Sequence, residues 1–125
     1  MITIKTFQGV TRYIIEGERI KDFNTLQTLY LIRQTEWGLT FCDFYMRKLF
    51  FYEGQTVRDL NRQILYRFDG TLFQDYLYRH MYRFEGGYVK TPGFVKLYSV
   101  EGPVSSGVIA LLITAFEKGY LRPPQ

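Results

Sequence analysis

Glycine recurs every sixteen residues through most of this chain, at Gly38, Gly54, Gly70, Gly86 and Gly102. Each block closes on an acid (Glu53, Asp69, Glu85, Glu101, Glu117), and Leu49, Leu65, Met81, Leu97 and Ile113 share one apolar position. Tyr66-Arg67-Phe68-Asp69-Gly70 and Tyr82-Arg83-Phe84-Glu85-Gly86 are near copies. A helix of about twelve residues plus a turn of about four would give this period. Stacked helical arrays use longer units. The spacing therefore reads as short helices of similar length with standard caps, rather than as a solenoid.

The start of the chain has a different pattern. Ile2, Ile4 and Thr6 alternate with Thr3, Lys5 and Phe7, Gln8-Gly9 turns, and Val10 to Ile15 returns with β-branched residues, which predicts a hairpin. A short third strand fits near Arg19 to Lys21. Asn24, Thr40, Thr56 and Thr71 each precede a polar residue three positions on, in capping-box spacing. Behind them run apolar residues at three-to-four spacing, such as Phe41, Phe44, Tyr45, Leu49 and Tyr52, which predicts three or four short helices. Tyr88 to Lys90 and Phe94 to Tyr98 flank Pro92-Gly93 and predict a second hairpin. Ser105 or Ser106 caps a last helix, Gly107 to Lys118, that is apolar all round and so belongs in a core or an interface. The expected fold is α+β: two hairpins forming a small sheet, the short helices, and a buried C-terminal helix, all in one domain over 1–125.

Several chemistries lack their residues. One His and one Cys, His80 and Cys42, do not make a zinc site or a disulfide framework. His80 sits among Tyr76, Leu77 and Phe84 and reads as a core histidine; Cys42 between Phe41 and Asp43 reads as buried filler. There is no Gly-x-Ser-x-Gly elbow, and the loop Gly102–Gly107 lacks the Lys and Ser/Thr of a phosphate loop. Asp43, Asp59 and Asp75 also recur every sixteen residues, but first-turn capping accounts for them. No catalytic residue, metal ligand or cofactor is assigned. No apolar run reaches the ~18 residues of a membrane-spanning helix, and no signal peptide is visible, so the expected setting is soluble, intracellular and cytoplasmic.

The aromatic content carries the functional expectation. Eleven Phe, eleven Tyr and one Trp among 125 residues exceed what one small core comfortably hides. Phe50-Phe51-Tyr52 and Tyr76-Leu77-Tyr78 cannot all face inward from one helix. The reading is a non-catalytic protein–protein interaction or assembly module, in a homo-oligomer or larger complex. Its expected contacts are Phe50, Phe51, Tyr52, Tyr78 and Tyr82, together with the last helix. The alternative is single-stranded nucleic-acid binding, with Arg58, Arg62, Arg79 and Arg83 on helix faces interleaved with tyrosines.

Overall fold

A computed structural model describes residues Met1–Gln125, the whole of the chain given above. Twelve antiparallel strands close into a barrel around one helix. The strands are β1 (Ile2–Thr6), β2 (Thr11–Glu16), β3 (Arg19–Asp22), β4 (Thr28–Thr35), β5 (Gly38–Asp43), β6 (Lys48–Glu53), β7 (Thr56–Arg58), β8 (Ile64–Phe68), β9 (Leu72–Asp75), β10 (His80–Glu85), β11 (Tyr88–Lys90) and β12 (Lys96–Glu101). The helix α1 spans Ser106–Glu117. Each strand pairs with its neighbour in sequence, and β1 closes on β12 with Ile4 opposite Val100. Closure leaves no free edge for another strand to extend.

The α+β expectation is therefore overturned. The first hairpin, β3, the second hairpin and α1 lie where the sequence puts them, but the helices expected after Asn24, Thr40, Thr56 and Thr71 are strand pairs. Five tight turns and six longer loops alternate at the two ends of the barrel. In the tight turns, Thr56 gives its hydroxyl to the Glu53 carbonyl at 2.6 Å instead of capping a helix. Gly54 and Gln55 both take positive φ there, as a two-residue hairpin turn requires. In the loops, Asp59 accepts the backbone N–H groups of Asn61 and Gln63 at 2.9 and 3.0 Å. Asp43 and Asp75 do the same in their loops, and the Thr91 hydroxyl accepts from Val95 N–H. These side chains fold the loop back on itself by the side-chain-to-backbone bonding that Asp and Thr favour in turns.

The sixteen-residue period is thus one loop hairpin and one tight turn. It fixes which side chains enter the barrel: Phe41, Val57, Phe73 and Val89, directly opposite Phe50, Tyr66, Tyr82 and Tyr98 on the next strand. The strand register slips once per unit, leaving Arg12, Leu29, Leu49, Leu65, Met81 and Leu97 as the extra residues. Such bulges sharpen twist and re-aim a side chain at a barrel rim. The five apolar ones pack against the core. These slips also explain the misleading spacing. A period-two strand interrupted by a bulge and a loop places apolar residues three and four apart.

Helix α1 fills the interior. Ser105 caps it by accepting from Val108 N–H at 3.3 Å, and Thr114 returns its hydroxyl to the Ala110 carbonyl at 2.8 Å. Its residues Ile109 to Phe116 are all buried. At Gly107 a Cβ would lie 3.0 Å from Leu39 and 3.1 Å from Tyr52, so glycine permits the helix to approach the wall. The outward wall carries Lys5, Lys21, Arg33, Arg58, Arg67 and Arg83 between inward apolar neighbours. That alternation is the reverse of the apolar outer band of a membrane-spanning barrel. No helix is long and apolar enough to cross a membrane.

Candidate docking surface at the loop end

The two barrel ends differ in what they expose. Of fifteen large apolar residues left exposed, thirteen lie in the six loops joining β1–β2, β3–β4, β5–β6, β7–β8, β9–β10 and β11–β12. Tyr45 is 77% exposed, and Phe7, Phe44, Leu77 and Val95 are all more than half exposed. Every loop contributes, so these side chains form a crown around one mouth of the barrel. Of the fifteen, only Met1 stands at the tight-turn end. Scattered surface apolar residues need no explanation, but a patch concentrated on one end marks an interaction site.

Loop geometry fixes how the crown is held. Met46, Arg62, Tyr78 and Phe94 occupy equivalent places sixteen apart, all with φ between 64° and 68°. Each turns back onto the outer wall. Arg67 lies 4.2 Å from the Tyr78 ring centroid, Arg83 lies 5.0 Å from that of Phe94, and Arg33 points a guanidinium N–H at Met46 Sδ, 3.3 Å away. In the β7–β8 loop the roles are exchanged. Arg62 comes from the loop and lies 5.0 Å from the Trp37 ring centroid, while Trp37 in turn covers Phe51. Cation and ring swap places and the contact survives, as an interaction between complementary charge distributions allows. These positions brace the crown. The tips between them, Tyr45 and Leu77 above all, are more than half exposed, Tyr45 touching only its loop neighbours Phe44 and Arg47 through its ring.

Charge divides along the same axis. Glu16, Glu18, Glu36, Glu53, Asp69, Glu85 and Glu101 lie at the tight-turn end. Arg12, Lys21, Arg47, Lys48, Arg58, Arg62, Arg79, Lys90 and Lys96 lie in or beside the loops. Four aspartates are there too, but all bond to their own loop backbones. Burial pushes the Asp43 and Asp75 carboxyls up, yet the loop N–H groups and the adjoining Arg47 and Arg79, each at 2.6 Å, outweigh it and hold both below the usual range. The N–H groups of Leu72 and Thr71 hold Asp69 down at the other end.

A depressed carboxyl stabilises the fold above its unfolded pKa, and that contribution disappears as pH falls through the folded value. We therefore expect a thermal midpoint insensitive to these groups between pH 5 and 8 that drops progressively below about pH 4, where carboxylates ordinarily titrate. In Asp75→Asn the drop measured by calorimetry should be shallower; an unchanged acid limb would show that the loop aspartates carry no such linkage.

The expected contact residues are redistributed by the fold. Phe50 is 2% exposed and stacks on Phe41 inside the barrel at 4.7 Å, and Phe51 is fully buried beneath Trp37 on the outer wall. Consecutive strand residues face opposite ways, so one packs inward and the other is roofed over. Tyr52 bonds to the Phe68 carbonyl, and α1 is enclosed. Tyr82 points inward and donates to Glu117 at 2.8 Å; burial first, then that bond, pushes its pKa to about 12. Tyr78, 63% exposed, is the one of the five on the crown. The four arginines do not share helix faces. Arg58 bonds to Thr56 and the Arg62 carbonyl, Arg62 lies on Trp37, Arg79 pairs with Asp75, and Arg83 grips Glu85 with two N–H groups.

His80 lies at the start of β10 with Nε2 3.1 Å from the Tyr82 carbonyl oxygen. Cys42 faces the outer wall, buried, and that burial pushes its thiol pKa up, away from the reactive thiolate. No cluster of His, Cys, Asp or Glu could hold a metal ion. Sequence reasoning missed the loop tips Phe44, Tyr45 and Val95, and reached Leu77 only as part of the triplet Tyr76-Leu77-Tyr78. Their signal was the recurrence of Asp43, Asp59 and Asp75, which mark loop entries. No family model, curated protein or solved structure matches the chain.

Proposed function

We propose that the protein is a non-catalytic docking module whose working surface is the loop end of the barrel. The observation that carries this reading is the confinement of thirteen of fifteen exposed large apolar residues to six loops around one mouth. The partner is a protein with apolar depressions and an acidic rim. A second copy fits less well. Two loop ends would oppose like charges, and the acidic tight-turn end offers the crown no apolar receptor beyond Met1. The free thiol of Cys42 suits a reducing, intracellular setting. Nucleic-acid binding remains the second reading because the loop end is basic, though Arg58, Arg62, Arg79 and Arg83 already have partners.

The test places a photo-crosslinking residue at Tyr45 in the native host, and another at Glu53 at the opposite end. One discrete protein adduct is expected from position 45 only, mapped to an acid-rimmed site. Adding Leu77→Asp should abolish it, since an interface anchor contributes about 2 kcal/mol or more, roughly 30-fold in affinity. Adducts from position 53 alone, or a nucleic-acid adduct from position 45, would contradict the reading.

A further inference from the structure

A second feature lies beneath the crown. A cavity of about 360 Å³ opens beside the C-terminal end of α1, walled by the rings of Phe7, Tyr82, Tyr98 and Phe116, by Glu117, and by the segment Pro123–Gln125. That segment is strapped in place. Arg12 donates Nε and Nη2 to the Gln125 backbone oxygen at 3.2 and 2.9 Å, and Tyr13 donates its hydroxyl to the Arg122 carbonyl at 2.7 Å. Arg12 is the polar exception among the six bulge residues, and it serves this strap.

The polar groups of the cavity are few and specific. Glu117 accepts the Tyr82 hydroxyl through Oε2, leaving Oε1 free. Tyr98 is 5% exposed, and its hydroxyl has no hydrogen-bond partner in the protein. That hydroxyl is not sealed from the space around it, so it is free to bond whatever occupies the cavity. The neighbouring Lys96 contributes its stem, while its ammonium lies 4.2 Å from the Tyr88 ring centroid on the outer wall.

We propose that this cavity binds a small organic cation, an alkyl- or arylammonium with an apolar body. Four aromatic rings line the cavity, the side-chain type that attracts a cation. Glu117 Oε1 accepts one ammonium proton, the Tyr98 oxygen accepts another, and the apolar body replaces water against Phe7 and Phe116. The size falls within the range of small-molecule sites. This site shares Phe7 with the crown but needs no protein partner.

Two probes of similar shape and opposite charge test it: phenethylammonium and 3-phenylpropanoate, titrated against the full chain by NMR and calorimetry. The cation should bind saturably and at least tenfold tighter than the anion, with shifts centred on Tyr82 and Tyr98. Glu117→Gln should weaken it about tenfold, and Tyr98→Phe about fivefold, as loss of a charged and a neutral hydrogen bond implies. Tyr45→Asp, on the crown, should leave it unchanged, so failure here is distinct from failure of the docking reading. Equal binding of both probes, no saturable binding of either, or an unaffected Glu117→Gln variant that unfolds as cooperatively as the parent would overturn the proposal.

Discussion

Leu112→Asp is expected to abolish cooperative unfolding altogether. Leu112 is fully buried in α1, and its neighbours Leu111 and Ile113 are buried too. Losing a core leucine costs about 2–5 kcal/mol, and an unpaired buried carboxylate adds several more. Domains of this size hold only about 5–15 kcal/mol in total. A helix packed on the outside of a sheet could rotate such a residue into water. Inside a closed barrel there is no solvent face to rotate to. Circular dichroism and a denaturant titration would show the loss; a cooperative transition at nearly parental denaturant concentration would place α1 elsewhere.

Phe41→Ala should cost about 3–5 kcal/mol, the usual range for a buried phenylalanine. Its ring stacks on Phe50 at 4.7 Å and on Tyr30 at 4.9 Å, and Tyr120 lies against it at 6.0 Å. It ties β4, β5 and β6 to the segment after α1 and makes one continuous aromatic layer. The surrounding strands are hydrogen-bonded on both sides and cannot collapse into the space. A cost below about 1.5 kcal/mol, with an unchanged denaturant slope, would mean that the layer is not packed as described.

How much of this was legible in the sequence depends on local signals. The first hairpin, Ser105 as a cap and the all-apolar α1 each stand on a few contiguous residues. The middle of the chain failed for a physical reason. Thr56-x-x-Asp59 is a capping-box spacing, but Thr56 opens β7 as it leaves a tight turn and Asp59 begins the next loop. Leu49 as a bulge residue shifts strand alternation by one and imitates a helical stripe. What the sequence could not show was closure: β1 pairs with β12 across nearly the whole chain. Closure hides Phe50, Trp37 roofs over Phe51, and Tyr45 and Leu77 are left outside. The aromatic excess was readable; its division between interior and crown was not.

The account rests on one arrangement, in which α1 is the core of the barrel and the loop end is the apolar surface that remains. Native-state hydrogen exchange reads it directly. The amides of Ile109 to Phe116 should be among the slowest in the molecule and exchange only through global unfolding, while those of Phe44 and Tyr76, which no hydrogen bond holds, exchange at rates near those of open chain. Rapid exchange across α1, with slow exchange at the loop tips, would contradict the arrangement and the docking surface with it.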